Sequence, residues 1–115
     1  MTHTLTLLDT VKFYETHVKH QQALDSHFQL ETSQGVITFY GVSEDAFAIY
    51  LIDIKPELRG KGIFRSLIEY LVSSGRYRWI MILAVGSPIL DKILLTSTFE
   101  GNKFICQGGD FILTC

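Results

Sequence analysis

A chain of 115 residues, 47% of them hydrophobic, is one domain long, and folding it removes roughly two-thirds of its unfolded surface from water. Ten basic against twelve acidic residues leave a formal net charge of -2. That balance sets up no field to draw the protein to a nucleic-acid backbone or an anionic membrane, so neither is expected as a partner. The opening MTHTLTLLDTVKF has no basic n-region, and its apolar run is broken by threonines and ended by Asp9. It reads as neither signal peptide nor anchor, and a cytoplasmic address is expected.

Thr2 to Leu8 reads as a short edge strand, after which Asp9 or Thr10 caps a helix with apolar positions Val11, Tyr14 and Val18. His27 to Thr32 and Val36 to Val42 alternate and are rich in β-branched and aromatic residues, so they read as a hairpin turning at Gln34-Gly35. Phe47 to Ile54 is a third, nearly all-apolar strand. From Gly62 the period changes: Ile63, Leu67, Ile68, Leu71 and Val72 form one helix face, ended by Gly75.

Tyr77 to Val85 reads as a central strand, and the unit from Phe47 through Val85 as a right-handed parallel crossover. Its longest apolar stretch, Trp79 to Val85, is too short to span a bilayer. Ser87-Pro88 supplies a cap and a first-turn proline for a last helix with Ile89, Leu90, Ile93 and Leu94 inward. Phe104 to Cys106 and Phe111 to Thr114 close the chain as a hairpin. With Gly108 and Gly109 at its turn, Cys106 falls opposite Phe111 and Cys115 near Asn102, too far apart to bond. Both thiols are therefore expected reduced, in keeping with the cytosol. The aromatics Trp79, Tyr77, Tyr70 and Phe13 are expected in the core.

The stretch between the third strand and the next helix carries chemistry. Arg59-Gly60-Lys61-Gly62 stands at a helix start, where glycines let the backbone approach a ligand and free N–H groups favour an anion such as phosphate. Neither GxxxxGK with Ser or Thr nor GxGxxG is present. The six residues Arg59-Gly60-Lys61-Gly62-Ile63-Phe64, led by Ile54-Lys55-Pro56 and followed by Leu67, resemble the signature of the GNAT superfamily, the acyl-CoA-dependent N-acyltransferases. That signature is Arg or Gln, two residues, Gly, one residue, then Gly or Ala, after a hydrophobic-x-Pro step.

The resemblance implies an α/β fold over residues 1–115 as a single domain, with a mixed, mainly antiparallel sheet and helices on both faces. It implies acetyl-CoA or coenzyme A as cofactor, its pyrophosphate on the backbone N–H groups of Arg59, Gly60, Lys61, Gly62, Ile63 and Phe64, and its pantetheine arm beside Ile52 and Ile54. The implied activity is transfer of an acetyl group to an amine or protein acceptor, whose identity the sequence leaves open, as it does a homodimer. Phe64 departs from the signature's Gly or Ala. It either crowds the diphosphate or turns into the core.

Phe99-Glu100-Gly101-Asn102-Lys103-Phe104 stands where relatives carry a Tyr-Glu-x-x-Gly-Phe segment whose tyrosine protonates the departing thiolate, and Phe99 has no hydroxyl. Strand alternation puts Ala48, Tyr50, Ile52 and Ile54 on one face and Phe47, Ile49, Leu51 and Asp53 on the other. The resemblance implies that the general base comes from the first of these faces, where Tyr50 is the only polar candidate, although a phenol is a poor base near neutral pH. Asp53 is expected to bond the following loop unless a strand bulge shifts the register. His17 and His20 read as surface residues, and Ser87 as a helix cap. No metal site is expected. The alternative to a transferase is a non-catalytic CoA-binding or protein-interaction module of the same fold.

Overall fold

The structure is a computed structural model and describes residues 5–83, 92 and 94–115. Its first helix, α1, runs Leu7–His17 and begins where the sequence supplies a reciprocal cap. The Thr6 hydroxyl accepts from the Asp9 backbone N–H, and the Asp9 carboxylate accepts from the Thr6 N–H, each at 3.1 Å. Both bonds satisfy groups that a bare helix start leaves open. This corrects the expected strand over Thr2 to Leu8 and the expected cap at Asp9 or Thr10. Leu7 and Leu8 are helical, while residues 2–4 lie outside the described set.

β1 (His27–Thr32) and β2 (Gly35–Tyr40) form a hairpin as expected, but it turns at Ser33-Gln34 rather than Gln34-Gly35: Gly35 already pairs with Thr32, and His27 lies opposite Tyr40. β3 (Ala46–Ile54) pairs antiparallel with β2. α2 (Ile63–Ser73) then leads to β4 (Trp79–Ile82), which pairs parallel with β3, as the crossover reading requires. β5 (Phe104–Gln107) and β6 (Asp110–Thr114) close as a hairpin with Cys106 opposite Phe111, and both cysteines are free. β6 lies between β4 and β5, so the sheet runs β1-β2-β3-β4-β6-β5. The fold is α/β with a mixed, mainly antiparallel sheet. Residues 92 and 94–96 are helical; the cap expected at Ser87, the proline Pro88, and Ile89, Leu90 and Ile93 of the expected stripe lie outside the described residues.

α1 and α2 share one core with the strands. Leu7, Val11 and Tyr14 of α1 and Leu67, Ile68 and Leu71 of α2 meet Phe39, Phe47, Ile49 and Ile80. Tyr14 stacks on Phe39 at 3.9 Å between ring centroids, and Phe47 meets it edge-on at 5.6 Å. Each such buried side chain contributes roughly 1.5–3 kcal/mol. Tyr77 joins this core. Trp79 does not: it alternates with buried Ile80 and emerges half-buried on the other sheet face. Phe13 lies off the α1 stripe and stays exposed against the His17 ring. No described helix is long and apolar enough to cross a membrane.

Candidate functional site

The site is assembled at the end of β3, where two irregularities coincide. Thr38 of β2 faces Leu51, but Phe39 faces Ile49, so Tyr50 is an extra residue without a partner across the ladder. Such a bulge delivers two successive residues to the same side and reverses the alternation beyond it. Ile52 and Ile54 consequently turn to the helix-covered face with Phe47 and Ile49 and pack on the core. Leu51 and Asp53 join Ala48 on the opposite face. The expected grouping of Tyr50 with Ile52 and Ile54 is thereby corrected. Tyr50 lies on the face without α1 and α2, against the rings of His27 at 4.4 Å and Tyr40 at 6.2 Å.

The second irregularity is on the other edge of β3. Its parallel ladder with β4 ends at the Ile49–Ile82 pair, the last described link being Leu83 N–H to the Ile49 carbonyl at 2.8 Å. Among the described residues nothing pairs with β3 from Tyr50 to Ile54 on that side. A strand edge of this kind carries a row of open N–H and C=O groups.

This edge runs into the glycine loop. Pro56–Leu58 make one turn of 3₁₀ helix, and then Gly60 and Gly62 both take left-handed backbone angles, φ 78° and 77°. Any other L-residue would pay roughly 1–2 kcal/mol there. Gly62 is the N-cap of α2 and provides no side-chain cap, and the first intrahelical bond is Ser66 N–H to the Gly62 carbonyl at 2.9 Å. The N–H groups of Ile63, Phe64 and Arg65 therefore point out of the helix start without a partner among the described residues, where the helix dipole contributes about half a positive charge. A Cβ added at Gly60 or Gly62 would meet nothing within 4 Å. Both glycines are exposed.

The bulky and charged side chains of the loop are held aside. Phe64 is buried in the core beside Leu67 and Ile68, so it does not crowd the donors. Arg59 turns back onto β3: its Nε donates to the Ile54 carbonyl at 2.9 Å and its guanidinium meets the Asp53 carboxylate at 3.2 Å. Asp53 thus has the loop-tying role expected of it. Arg65 donates to the Thr98 carbonyl at 3.0 Å and lies over the Phe99 ring at 5.0 Å. Lys61 is the one exposed cation of the hexamer with no partner among the described residues. Phe99 is itself only 1% exposed, with its ring edge-on to Phe104 at 5.7 Å.

Ile52 and Ile54 lie on the helix-covered face of β3 just ahead of residues 59–64, whereas Tyr50 stands on the opposite face. Sequence reading missed Asp25, His27 and Tyr40 beside Tyr50. His27 and Tyr40 could have been found from the hairpin, since a turn at Ser33-Gln34 makes them cross-strand partners. Tyr50 shares their face by alternation from Ala48, the residue opposite Tyr40.

No protein-family model matches the chain, and no curated protein matches it by sequence. Among solved structures it is similar to an acetyltransferase from Thermus thermophilus, at TM-score 0.54 and 16% identity over 96% of this chain and 76% of the other. Proteins assigned as acetyltransferases from Agrobacterium tumefaciens and an Exiguobacterium species align at TM-scores 0.48 and 0.47, with 14% and 13% identity. They cover 98% and 94% of this chain, and the alignments span 96% and 74% of theirs. Element order, the parallel β3–β4 pair with α2 between them, and the likeness to the Thermus structure agree: the chain has a GNAT-like fold.

Proposed function

We propose that the chain is a small N-acyltransferase that moves an acetyl group from acetyl-CoA to an amine. The observation that carries this reading is the start of α2: N–H groups without a partner among the described residues, behind two left-handed glycines, after a strand whose edge no described residue pairs. That combination suits a diphosphate joined to an extended, amide-bearing arm. Backbone groups from Gly60 to Phe64 hold the diphosphate, and Lys61 adds charge. Arg59 fixes the loop to β3, and the edge of β3 at Ile52 and Ile54 takes the arm.

In the reaction the nitrogen lone pair of a neutral amine attacks the thioester carbonyl carbon. The C–S bond breaks, the sulfur leaves as thiolate, and the nitrogen gives up one proton, so the products are the acetamide and coenzyme A thiol. Tyr50, in the bulge beside the reacting carbonyl, is the residue assigned to bond the incoming amine. The exposed, unpaired Cys106 and Cys115 fit a reducing compartment, and a cytoplasmic setting goes with this reading.

A second reading has its own support. Phe99 carries no hydroxyl and its ring is buried, so no thiolate acid stands at that position, and a general acid contributes about two to four orders of magnitude. A CoA-binding module without turnover fits that fact. Release of thiol from acetyl-CoA across a panel of amines, peptides and arylamines separates the two. Slow, amine-dependent release is expected. Coenzyme A binding without release from any acceptor leaves the binding module, and absence of binding at millimolar coenzyme A removes both.

A further inference from the structure

The sheet face opposite α1 and α2 carries an aromatic cluster around Tyr50. His27, Tyr40 and Tyr50 come from three adjacent strands, their rings 4.4 to 6.2 Å apart. Tyr50 is the extra residue of the β3 bulge and has no partner across the ladder. Beside them stands Asp25, a non-glycine residue in left-handed backbone, φ 63°. Its N–H donates to the Gly41 carbonyl at 3.0 Å, and the Gly41 N–H donates to the Ser26 carbonyl at 2.9 Å. The loop so pinned holds the Asp25 carboxylate where Oδ1 accepts from the Tyr40 hydroxyl at 2.8 Å. No described group bonds Oδ2.

The cations on this face lie off the three strands of the cluster: Arg59 meets Asp53, and Arg78 lies over Trp79. β1, β2 and β3 contain no lysine or arginine at all. Glu31, Val36 and Asp53 are cross-strand neighbours, so two more carboxylates share the face with Asp25. Of the three, Asp53 is matched by Arg59. A positively charged group is drawn to such a surface, whereas one bearing a carboxylate or phosphate finds no counter-charge on these strands.

We propose that Tyr40, Tyr50, His27 and Asp25 form the recognition site for the acceptor, and that the acceptor is an alkylammonium free of any nearby acidic group. This deepens the acyl-transfer reading and rests on it for the word acceptor. The cation lies over the electron-rich ring faces with Asp25 alongside, and after losing its proton the amine is within reach of a carbonyl beside the bulge. The ring faces set specificity. An acceptor with its own carboxylate is rejected by Asp25 and Glu31.

The test titrates the protein with n-butylammonium, with γ-aminobutyrate, which adds a carboxylate to the same chain, and with neutral 1-butanol, reading ring signals of Tyr40, Tyr50 and His27 by NMR. No coenzyme is needed. Butylammonium should move these signals at millimolar concentration, with the other two much weaker. Tyr50→Leu and Tyr40→Leu should each weaken binding by about two- to five-fold, the range for a cation over an exposed ring, while Tyr50→Phe retains it. Asp25→Asn, which keeps the left-handed backbone accessible, should also weaken it. In the transfer assay the leucine variants should raise KM for the amine and leave that for acetyl-CoA alone. Equal binding of γ-aminobutyrate, or indifference to Tyr50→Leu, overturns the proposal. If butylammonium binds as described but acetyl-CoA does not bind, the acyl-transfer reading fails and the cation site stands. If acetyl-CoA is turned over with no dependence on Tyr50 or Asp25, the cation site fails alone.

Discussion

At the scale of single residues, the proposed coenzyme site rests on the backbone of the glycine loop, with Phe64 and Arg59 turned away from it. Gly62 is the sharpest probe. Gly62→Glu forces a left-handed glutamate and sets a carboxylate before the open N–H groups, so it should abolish coenzyme A binding and cost roughly 1–2 kcal/mol of stability. Lys61→Ala should weaken binding only a few-fold, because an exposed lysine contributes about 1 kcal/mol or less. Calorimetry with both variants decides: unimpaired binding by Gly62→Glu would reduce the loop to a turn. Phe99→Tyr asks a different question. The ring is buried against Phe104, so a new hydroxyl meets core before it meets substrate, and an unsatisfied one costs about 1–3 kcal/mol. We expect a lower melting temperature and no faster turnover. A faster variant would show that the hydroxyl reaches the thiolate.

Between elements, the strongest polar link is Glu15 of α1. Its carboxylate accepts from Tyr70 at 2.7 Å, from Tyr77, and from Arg76 at 2.8 Å, while its side chain is only 7% exposed. Those donors sit at the far end of α2 and just before β4, so Glu15 ties α1 to the crossover that carries the glycine loop at its other end. Removing it leaves two phenols and a guanidinium without their acceptor. Glu15→Ala should cost about 2–4 kcal/mol, read from the urea midpoint. Glu15→Gln keeps one acceptor oxygen and should lose less. Equal losses for the two would mean that packing rather than the charge-assisted bonds holds the helices together. The β3 bulge acts at the same scale: one extra residue decides which of Leu51, Ile52, Asp53 and Ile54 face the helices.

For the whole molecule, the sheet was legible wherever the chemistry of turns and alternation is local. Gln34-Gly35, one residue past the actual turn, and Gly108-Gly109 marked the two hairpins, and the change of period at Gly62 marked the crossover helix. The start of α1 was legible too, in Thr6-x-x-Asp9, but the alternating Thr2 to Leu8 competes with it. The bulge and the inward turn of Phe64 are tertiary outcomes of packing around Tyr14 and Phe39, and no short window contains them. That packing has a pH signature. Burial pushes the Tyr14 phenol from 10.0 up to about 12, and burial together with the bond to Glu15 also raises Tyr77. Both are raised above their unfolded values, so their contribution is fully present below pH 10 and is lost as pH rises beyond it, because the unfolded chain releases these protons first. Each such tyrosine should cost about 1.4 kcal/mol per pH unit over the window from 10 to 12. Tyr14→Phe keeps the stack on Phe39 and loses only the bond to Gln22. Its melting temperature should therefore fall less steeply than that of the wild type across this window, followed by circular dichroism alongside phenolate absorbance. Parallel slopes would mean that Tyr14 ionises without unfolding, and hence that the centre of the core admits water.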